Sequence, residues 1–328
     1  MPGPNSGPTE SGPGSIRRGK PSGEFAAIAR LAARLHGHGP QPAAGEVWIG
    51  DDAAVLRPTG GSWLLLTTDL VVAGVHGDMA VMGAADLGWR AMVASLSDIA
   101  AMGGRPCHAV VSIAGPPDTD LDSVVDGVAQ AAREFCCPVV GGDLSGADQL
   151  VVSVAMTGDL PARANPVLRS GARAGDHLFV TGALGGSAAG LRLLRREADA
   201  SGELVAAYRR PRPRTAAGVR ARLGGATAMI DVSDGLAADL GHLADASDVG
   251  FDLLRVPVAA GASVDDALYG GEDYELVLAC PEPAALLEAF RDGGLKPPIA
   301  IGNCVADCGR RTFEGRPLAA GGFEHDFA

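Results

Sequence analysis

Residues 84–104 read AADLGWRAMVASLSDIAAMGG, and this stretch decides how the chain around it is arranged. Apolar side chains dominate from Leu87 onward, which predicts a long helix from about Ala84 to Met102, stopped by Gly103-Gly104 and Pro106. Asp98 lies eleven residues after Leu87 on this otherwise apolar helix, where a purely structural core has no use for a charge. Upstream, Trp63-Leu-Leu-Leu-Thr-Thr-Asp69 reads as a buried strand delivering a polar end. Phe25, Ile28, Leu31 and Leu35 predict a first helix over 24–35. Downstream, His108 to Ala114 reads as a strand, and Leu121, Val124, Val128, Ala132 and Phe135 describe an amphipathic helix. Pro138-Val139-Val140 then leads into Gly141-Gly142-Asp143, and Leu150 to Met156 returns as a strand.

The turn-rich segment DLPARANPVLRSGARAGD, 159–176, marks a boundary, after which a second mixed unit begins at His177 to Val180. It continues through a glycine-rich turn at 182–190, an Arg/Pro segment at 209–214 and a strand from Ala228 to Val232. A helix carrying Leu236, Leu240 and Leu243 follows, and then a polar turn entering a strand over Gly271 to Ala279. The strands are spaced without a regular βαβ rhythm, so the expected class is α+β in two domains. The expected divisions are a disordered tail over 1–22, an amino-terminal domain over 23–160, and a carboxy-terminal α/β domain over 161–328.

With 328 residues, 47% hydrophobic and 20% charged, the chain is long enough to bury two ordinary cores. Its formal net charge of −12 argues against a general affinity for nucleic acid, whose backbone attracts Lys and Arg. Charge-free apolar runs of membrane-spanning length are missing, and the basic start is followed by no apolar stretch. A cytoplasmic protein without membrane or nucleic-acid partners is therefore expected. Six cysteines occur, but neither Cys136-Cys137 nor Cys304-x-x-x-Cys308 has zinc or redox spacing.

Acidic residues repeatedly close apolar segments beside glycine or small hydroxyl residues. They are Asp51-Asp52 in IGDDAAVL, Asp69 in LLLTTDL, Asp98 in SLSDIAAMG, Asp143 in VVGGDLSG, and Asp231 and Asp234 in IDVSDGL. Taken singly, an Asp beside Gly is more often a turn residue or a helix cap, and Ser233 or Asp234 is well placed to start the following helix. Taken together in one cleft, these carboxylates would repel one another strongly unless a cation intervened. Hard oxygen donors suit Mg²⁺, which keeps waters and is completed by substrate phosphates; Thr67 and Thr68 add further oxygens. The glycine-rich 182–190 turn lacks the G-K-[ST] ending of a P-loop and reads as a turn before a packed helix. Arg209 to Arg214 reads equally as an anion site or a solvated charged turn, and His36 and His38 as an exposed helix end.

The motifs resemble one family, the thiamine-monophosphate kinases, within the superfamily of the aminoimidazole ribonucleotide synthetases. The matching segments are GEF at 23–25, IGDDAAVL at 49–56, TTDLVVAGVH at 67–76, SLSDIAAMG at 95–103, GGD at 141–143 and LRSGARAGD at 168–176. They continue with TGALGGSAAGL at 181–191, RPRPR at 210–214, DVSDGLAADLGH at 231–242 and GGEDYEL at 270–276. The order of these pieces, with GGEDYEL and the AGVH segment, is what distinguishes the kinases from their synthetase relatives.

The resemblance implies ATP-dependent phosphorylation of thiamine monophosphate to thiamine diphosphate, with several Mg²⁺ ions. By that likeness Asp52, Thr67, Thr68, Asp69, Asp98, Asp143, Asp231 and Asp234 hold metal, and Asp98, Asp143 and Asp231 are its catalytic organisers. Arg169 and Ser233 touch ATP, while His76, Glu272 and Phe323 shape the thiamine-phosphate site. The resemblance also implies a homodimer in which the amino-terminal domains form a shared sheet barrel, with the second domain packed against it. Three departures stand out: Gly77 where the family has Phe, removing an apolar wall; Leu144-Ser145-Gly146 after GGD; and Asp326 inserted near the end. The competing readings are another ATP-dependent synthetase of the superfamily and a non-catalytic nucleotide-binding protein.

Overall fold

The computed structural model describes residue 28, residues 32–33, 42–58 and 62–325. Of the helix expected over 24–35, Ile28, Ala32 and Ala33 are helical; its remainder, the preceding tail, His36, His38 and Asp326 lie outside the described residues.

In chain order the first domain contains β1 (Ala54–Leu56), β2 (Leu64–Val72), α1 (Ala84–Ala101), β3 (Arg105–Gly115), α2 (Leu121–Glu134), β4 (Val139–Gly146) and β5 (Val151–Asp159). Its five strands form one sheet in the order β1-β2-β5-β3-β4, antiparallel except for the β3–β4 pair. The second domain carries β6 (His177–Val180), α3 (Gly186–Arg196), α4 (Glu203–Arg209), α5 (Thr215–Leu223), β7 (Ala228–Asp231) and α6 (Leu236–Ser247). It continues with β8 (Gly250–Leu253), α7 (Val264–Tyr269), β9 (Leu276–Cys280), α8 (Pro283–Asp292), β10 (Ile299–Val305), β11 (Arg311–Phe313) and β12 (Arg316–Pro317). A seven-stranded sheet runs β12-β11-β8-β10-β6-β9-β7. The architecture is the expected two-domain α+β fold.

Strand β2 is half-buried rather than buried. Leu65, Thr67 and Val71 face the core, while Leu66, Thr68 and Leu70 are exposed, as strand alternation requires. Asp69 therefore sits in the middle of a strand and shares the inner face with Thr67. Among the described residues the sheet stays open, with β1 and β4 as its edges, and closes no barrel. Through GGD the chain runs extended as part of β4, with no turn. Gly142 is needed there because a Cβ would lie 1.8 Å from the Val111 carbonyl oxygen.

Helix α1 is the spine of the molecule. Every residue from Leu87 to Ala101 is buried except Asp98, which is half-buried. Its middle packs with Leu65, Val154 and Met156 in the first core, and Ala100 and Ala101 pack with Phe179, Met229 and Leu278 of the second domain. Helix α2 crosses α1 closely: a Cβ on Gly127 would lie 1.8 Å from the Ala85 carbonyl oxygen, and one on Gly88 2.1 Å from that of Val124. Among the described residues, no helix is long and apolar enough to cross a membrane.

Because all three atoms nearest a Cβ on Gly127 are backbone, the helices must separate to admit a methyl group. We expect Gly127→Ala to cost about 1–3 kcal/mol through overpacking, read as a lowered midpoint in denaturant titration with an unchanged slope.

Candidate active site

The acidic residues converge where α1 passes between the two domains. Carboxylate oxygens of Asp52, Asp98 and Asp231 all lie within 4.8 Å of one another. They come from the loop before β1, from α1 and from the end of β7, so the site exists only when both domains pack on one helix. Each is held by a neighbour. Thr67 Oγ1 donates to Asp98, and Ser97 Oγ donates to Asp231 at 2.6 Å. Arg169 Nη2 donates to Asp52 Oδ1 at 2.6 Å. Beside the group, Ser95 Oγ donates to Asp69 at 2.8 Å, and Asp51 accepts the backbone N–H of Arg169 at 3.0 Å.

Burial, with crowding added to it, raises the pKa of four acids of this site. Burial, then the charge of Asp52, pushes Asp231 up to about 8 and Asp51 up to about 7. Burial likewise raises Asp98 well above the carboxylate range, with Asp69, Asp231 and Asp52 adding to it, and raises Asp69. Burial works against the charge of Arg169, but Asp52, Asp51 and Asp231 outweigh it and hold the guanidinium above its ordinary value. Asp52 Oδ2 is buried without a protein hydrogen-bond partner. An orphaned carboxylate oxygen amid oxygen donors fits a hard divalent cation such as Mg²⁺.

Not every expected ligand joins this group. The side chain of Thr68 points to the open face of the sheet, opposite to Thr67. Asp143 is exposed on edge strand β4, opposite Ser112, in a row that runs through Ser153 to Leu70 on that same open face. Asp234 stands outside the tight group, at the entrance to α6. Neither Ser233 nor Asp234 caps that helix: Gly235 is the cap residue, and Asp239 Oδ2 accepts the N–H groups of Asp234 and Gly235 at 3.1 and 3.0 Å. Ser233 is half-buried, and its carbonyl accepts the Glu272 N–H at 2.7 Å, tying the SDG turn to GGEDYEL.

That second loop assigns each of its polar side chains a different task. Glu272 pairs with buried Arg90. Asp273 accepts from the Gly185 and Ser187 amides at 2.6 and 3.2 Å, which fixes the glycine-rich turn in front of α3. Glu275 accepts from Thr181 and Arg214. His76 accepts the Val72 N–H on Nδ1 at 3.0 Å, and its ring lies 6.4 Å from that of Phe323, tilted by 60°. The expected substrate-side residues His76, Glu272 and Phe323 thus approach one another, Glu272 through Arg90, which also binds the His76 carbonyl at 2.8 Å. Gly77 leaves no void, since a Cβ there would lie 2.8 Å from both Leu87 and Met82.

In the Arg/Pro segment four arginines have protein partners, and Arg212 among them stays exposed. Arg209 binds the Val81 carbonyl, Arg210 pairs with Asp86, Arg212 with Glu134 and Arg214 with Glu275. A cavity of about 600 Å³ is lined by Trp89, Gln130, Arg133, Glu134, Ala206, Arg210 and Arg212, none of which belongs to the acidic group. Sequence reasoning passed over Arg90, Ser95, Ser97 and Asp239. For the first three the available signal was the one that singled out Asp98, a polar side chain on an apolar helix.

Two family descriptions match the chain: AIR synthase related protein, N-terminal domain, over residues 50–160, and its C-terminal domain over 173–313. Fold and site thus define a two-domain protein of the AIR synthase related class. Within that class, the thiamine-monophosphate kinase of Mycobacterium tuberculosis is 40% identical over 281 residues, covering 80% of this chain and 82% of the relative. That of Escherichia coli K12 is 35% identical over 327 residues, covering 92% and 98%. The solved structure of AaThiL complexed with AMPPCP and TMP superposes with a TM-score of 0.78 at 31% identity, covering 92% of this chain and 97% of that one. The chain belongs to the thiamine-monophosphate kinase family.

The raised carboxylates give a pH-dependent signature. With a folded-state value of about 8, Asp231 retains a proton that the unfolded chain releases near the ordinary Asp value of about 3.9. Its contribution to stability is full below that lower value and is lost as pH rises through the upper one. A bound divalent cation replaces the proton, so the rise in melting temperature caused by Mg²⁺ should grow between about pH 6 and pH 8.5. Thermal melts at fixed Mg²⁺ check this, and Asp231→Asn should abolish the trend.

Proposed function

We propose that this chain transfers the γ-phosphoryl group of ATP to thiamine monophosphate, yielding thiamine diphosphate and ADP. The observation that carries this reading is the convergence of Asp52, Asp98 and Asp231 from two domains onto one buried helix, in a chain of this family. Asp52, Asp98 and Asp231, with Asp69 and Thr67 beside them, are the residues that would hold Mg²⁺. When bound, the metal supplies neutralisation of crowded phosphate charge. Arg169, already anchored to Asp52 and by its backbone to Asp51, would present its guanidinium to the nucleotide, and Ser233 on the SDG turn would be a further contact. Asp234 would extend the acidic surface toward the phosphates. His76, Glu272 and Phe323 would receive the acceptor.

The acceptor's phosphate oxygen attacks the γ-phosphorus in line as the bond to ADP breaks. A phosphate monoester is largely anionic near neutral pH, so no protein base is required. The work of this chain is alignment of two anions on a rigid, largely buried frame.

Two protomers would pair through the open face of the first sheet, which exposes Leu66, Leu70 and Val110. Such pairing would close the shared barrel and turn Thr68 and Asp143 toward the partner's side, giving both a role that a single protomer does not provide. The domains would divide at 160–161, and unbridged cysteines accord with a cytoplasmic location.

Asp98→Asn should lower turnover by about 10²-fold or more while the circular dichroism spectrum is kept, because it removes charge from the centre of the site. The decisive assay supplies ATP with thiamine monophosphate or with unphosphorylated thiamine and identifies the products. Thiamine diphosphate plus ADP from the monophosphate supports the reading. Orthophosphate release without thiamine diphosphate, or efficient use of free thiamine, contradicts it.

A further inference from the structure

Arg90 has no exposed surface, and it stands on α1 eight residues before Asp98. Its guanidinium gathers three separate segments. Nη1 donates to the His76 carbonyl at 2.8 Å and pairs with the Glu272 carboxylate, while Nη2 donates to the Tyr208 carbonyl. The guanidinium carbon lies 4.7 Å from the centre of the Tyr208 ring, whose hydroxyl accepts the Asp78 N–H at 2.9 Å. The segment after β2, the end of α4 and the GGEDYEL loop therefore meet on one buried cation.

Two features show that this arrangement is not the cheapest way to fill a core. Glu272 and Tyr274 have φ of 63° and 51°, in the left-handed region that L-residues avoid. Arg90 Nε is buried without a partner, and buried ion pairs are a poor source of stability compared with well-packed apolar side chains. Strained backbone and an unmet donor persist where surrounding structure holds them for another purpose. We infer that Arg90 is a positioning residue for the phosphate acceptor, fixing Glu272 at a set distance from the His76 segment so that the acceptor side is formed before ligand arrives. This rests on the reading that His76, Glu272 and Phe323 face the acceptor. It gives α1 two jobs two turns apart, with Asp98 on the metal side and Arg90 on the acceptor side.

The test is steady-state kinetics on the full chain with thiamine monophosphate and MgATP varied separately, for Arg90→Met, Arg90→Lys and Glu272→Gln. Arg90→Met should raise KM for the acceptor by about tenfold or more and leave KM for MgATP within about twofold. Arg90→Lys, which keeps the charge but not the planar fork, should recover part of the loss. Combining Arg90→Met with Glu272→Gln should add little to either alone, because both break the same contact. If Arg90→Met does not fold, Arg90→Lys decides by the same split between the two KM values. An unchanged acceptor KM in a folded variant, or equal rises for both ligands, overturns the inference. Wild-type turnover with these variant results removes this inference alone; absence of wild-type turnover removes the functional reading as well.

Discussion

A helix buried almost throughout must find a partner for nearly every polar side chain it carries, and α1 carries Arg90, Ser95, Ser97 and Asp98. An uncompensated charge in such a place costs several kcal/mol, so the surroundings of α1 are constrained to answer it. What answers it is the candidate site. Thr67 binds Asp98, Asp69 takes Ser95, Asp231 takes Ser97, and Glu272 takes Arg90. The hydrogen-bond demands of one helix therefore dictate which strands and loops of both domains meet at its surface.

This explains why carboxylates crowd together despite their repulsion. Asp231 and Asp52 belong to different domains, and each is fixed by a neutral or cationic neighbour before any ligand is present. Side chains oriented in advance lose little freedom when phosphates arrive. Burial first, and then the remaining repulsion, raises Asp98, Asp231 and Asp51 above the ordinary carboxylate range, and a divalent cation is suited to relieve both.

The long helix was legible because apolar spacing over 84–102 has a single reading, and the two-domain α+β class because the strands lack a regular βαβ rhythm and a turn-rich segment divides them. The convergence of Asp52, Asp98 and Asp231 was legible only as a joint pattern, since each alone resembles a turn residue or a cap. Strand alternation was not drawn out of TTD: Thr67 and Thr68 are adjacent in sequence but face opposite sides of the sheet, and one-letter proximity hides that. Asp143 was ranked with the catalytic acids because it closes an apolar segment beside glycine and matches the family motif, whereas the pair of glycines continues an edge strand whose face is open in one protomer. The cap residue of α6 is Gly235, and Asp239 reaches back from within the helix to accept the N–H groups of Asp234 and Gly235, a reversal that position alone does not reveal. Arg90 escaped notice because arginine on a helix usually reaches solvent, and only the packing of Tyr208 and Glu272 shows that this one does not.

Anomalous diffraction from crystals grown with Mn²⁺ and a non-hydrolysable ATP analogue would locate the cation. A manganese peak is expected in contact with carboxylate oxygens of both Asp98 and Asp231, with nucleotide phosphate on its far side. Ordered nucleotide with no manganese at those carboxylates, or with manganese bound elsewhere on the chain, would contradict a metal-holding role for them.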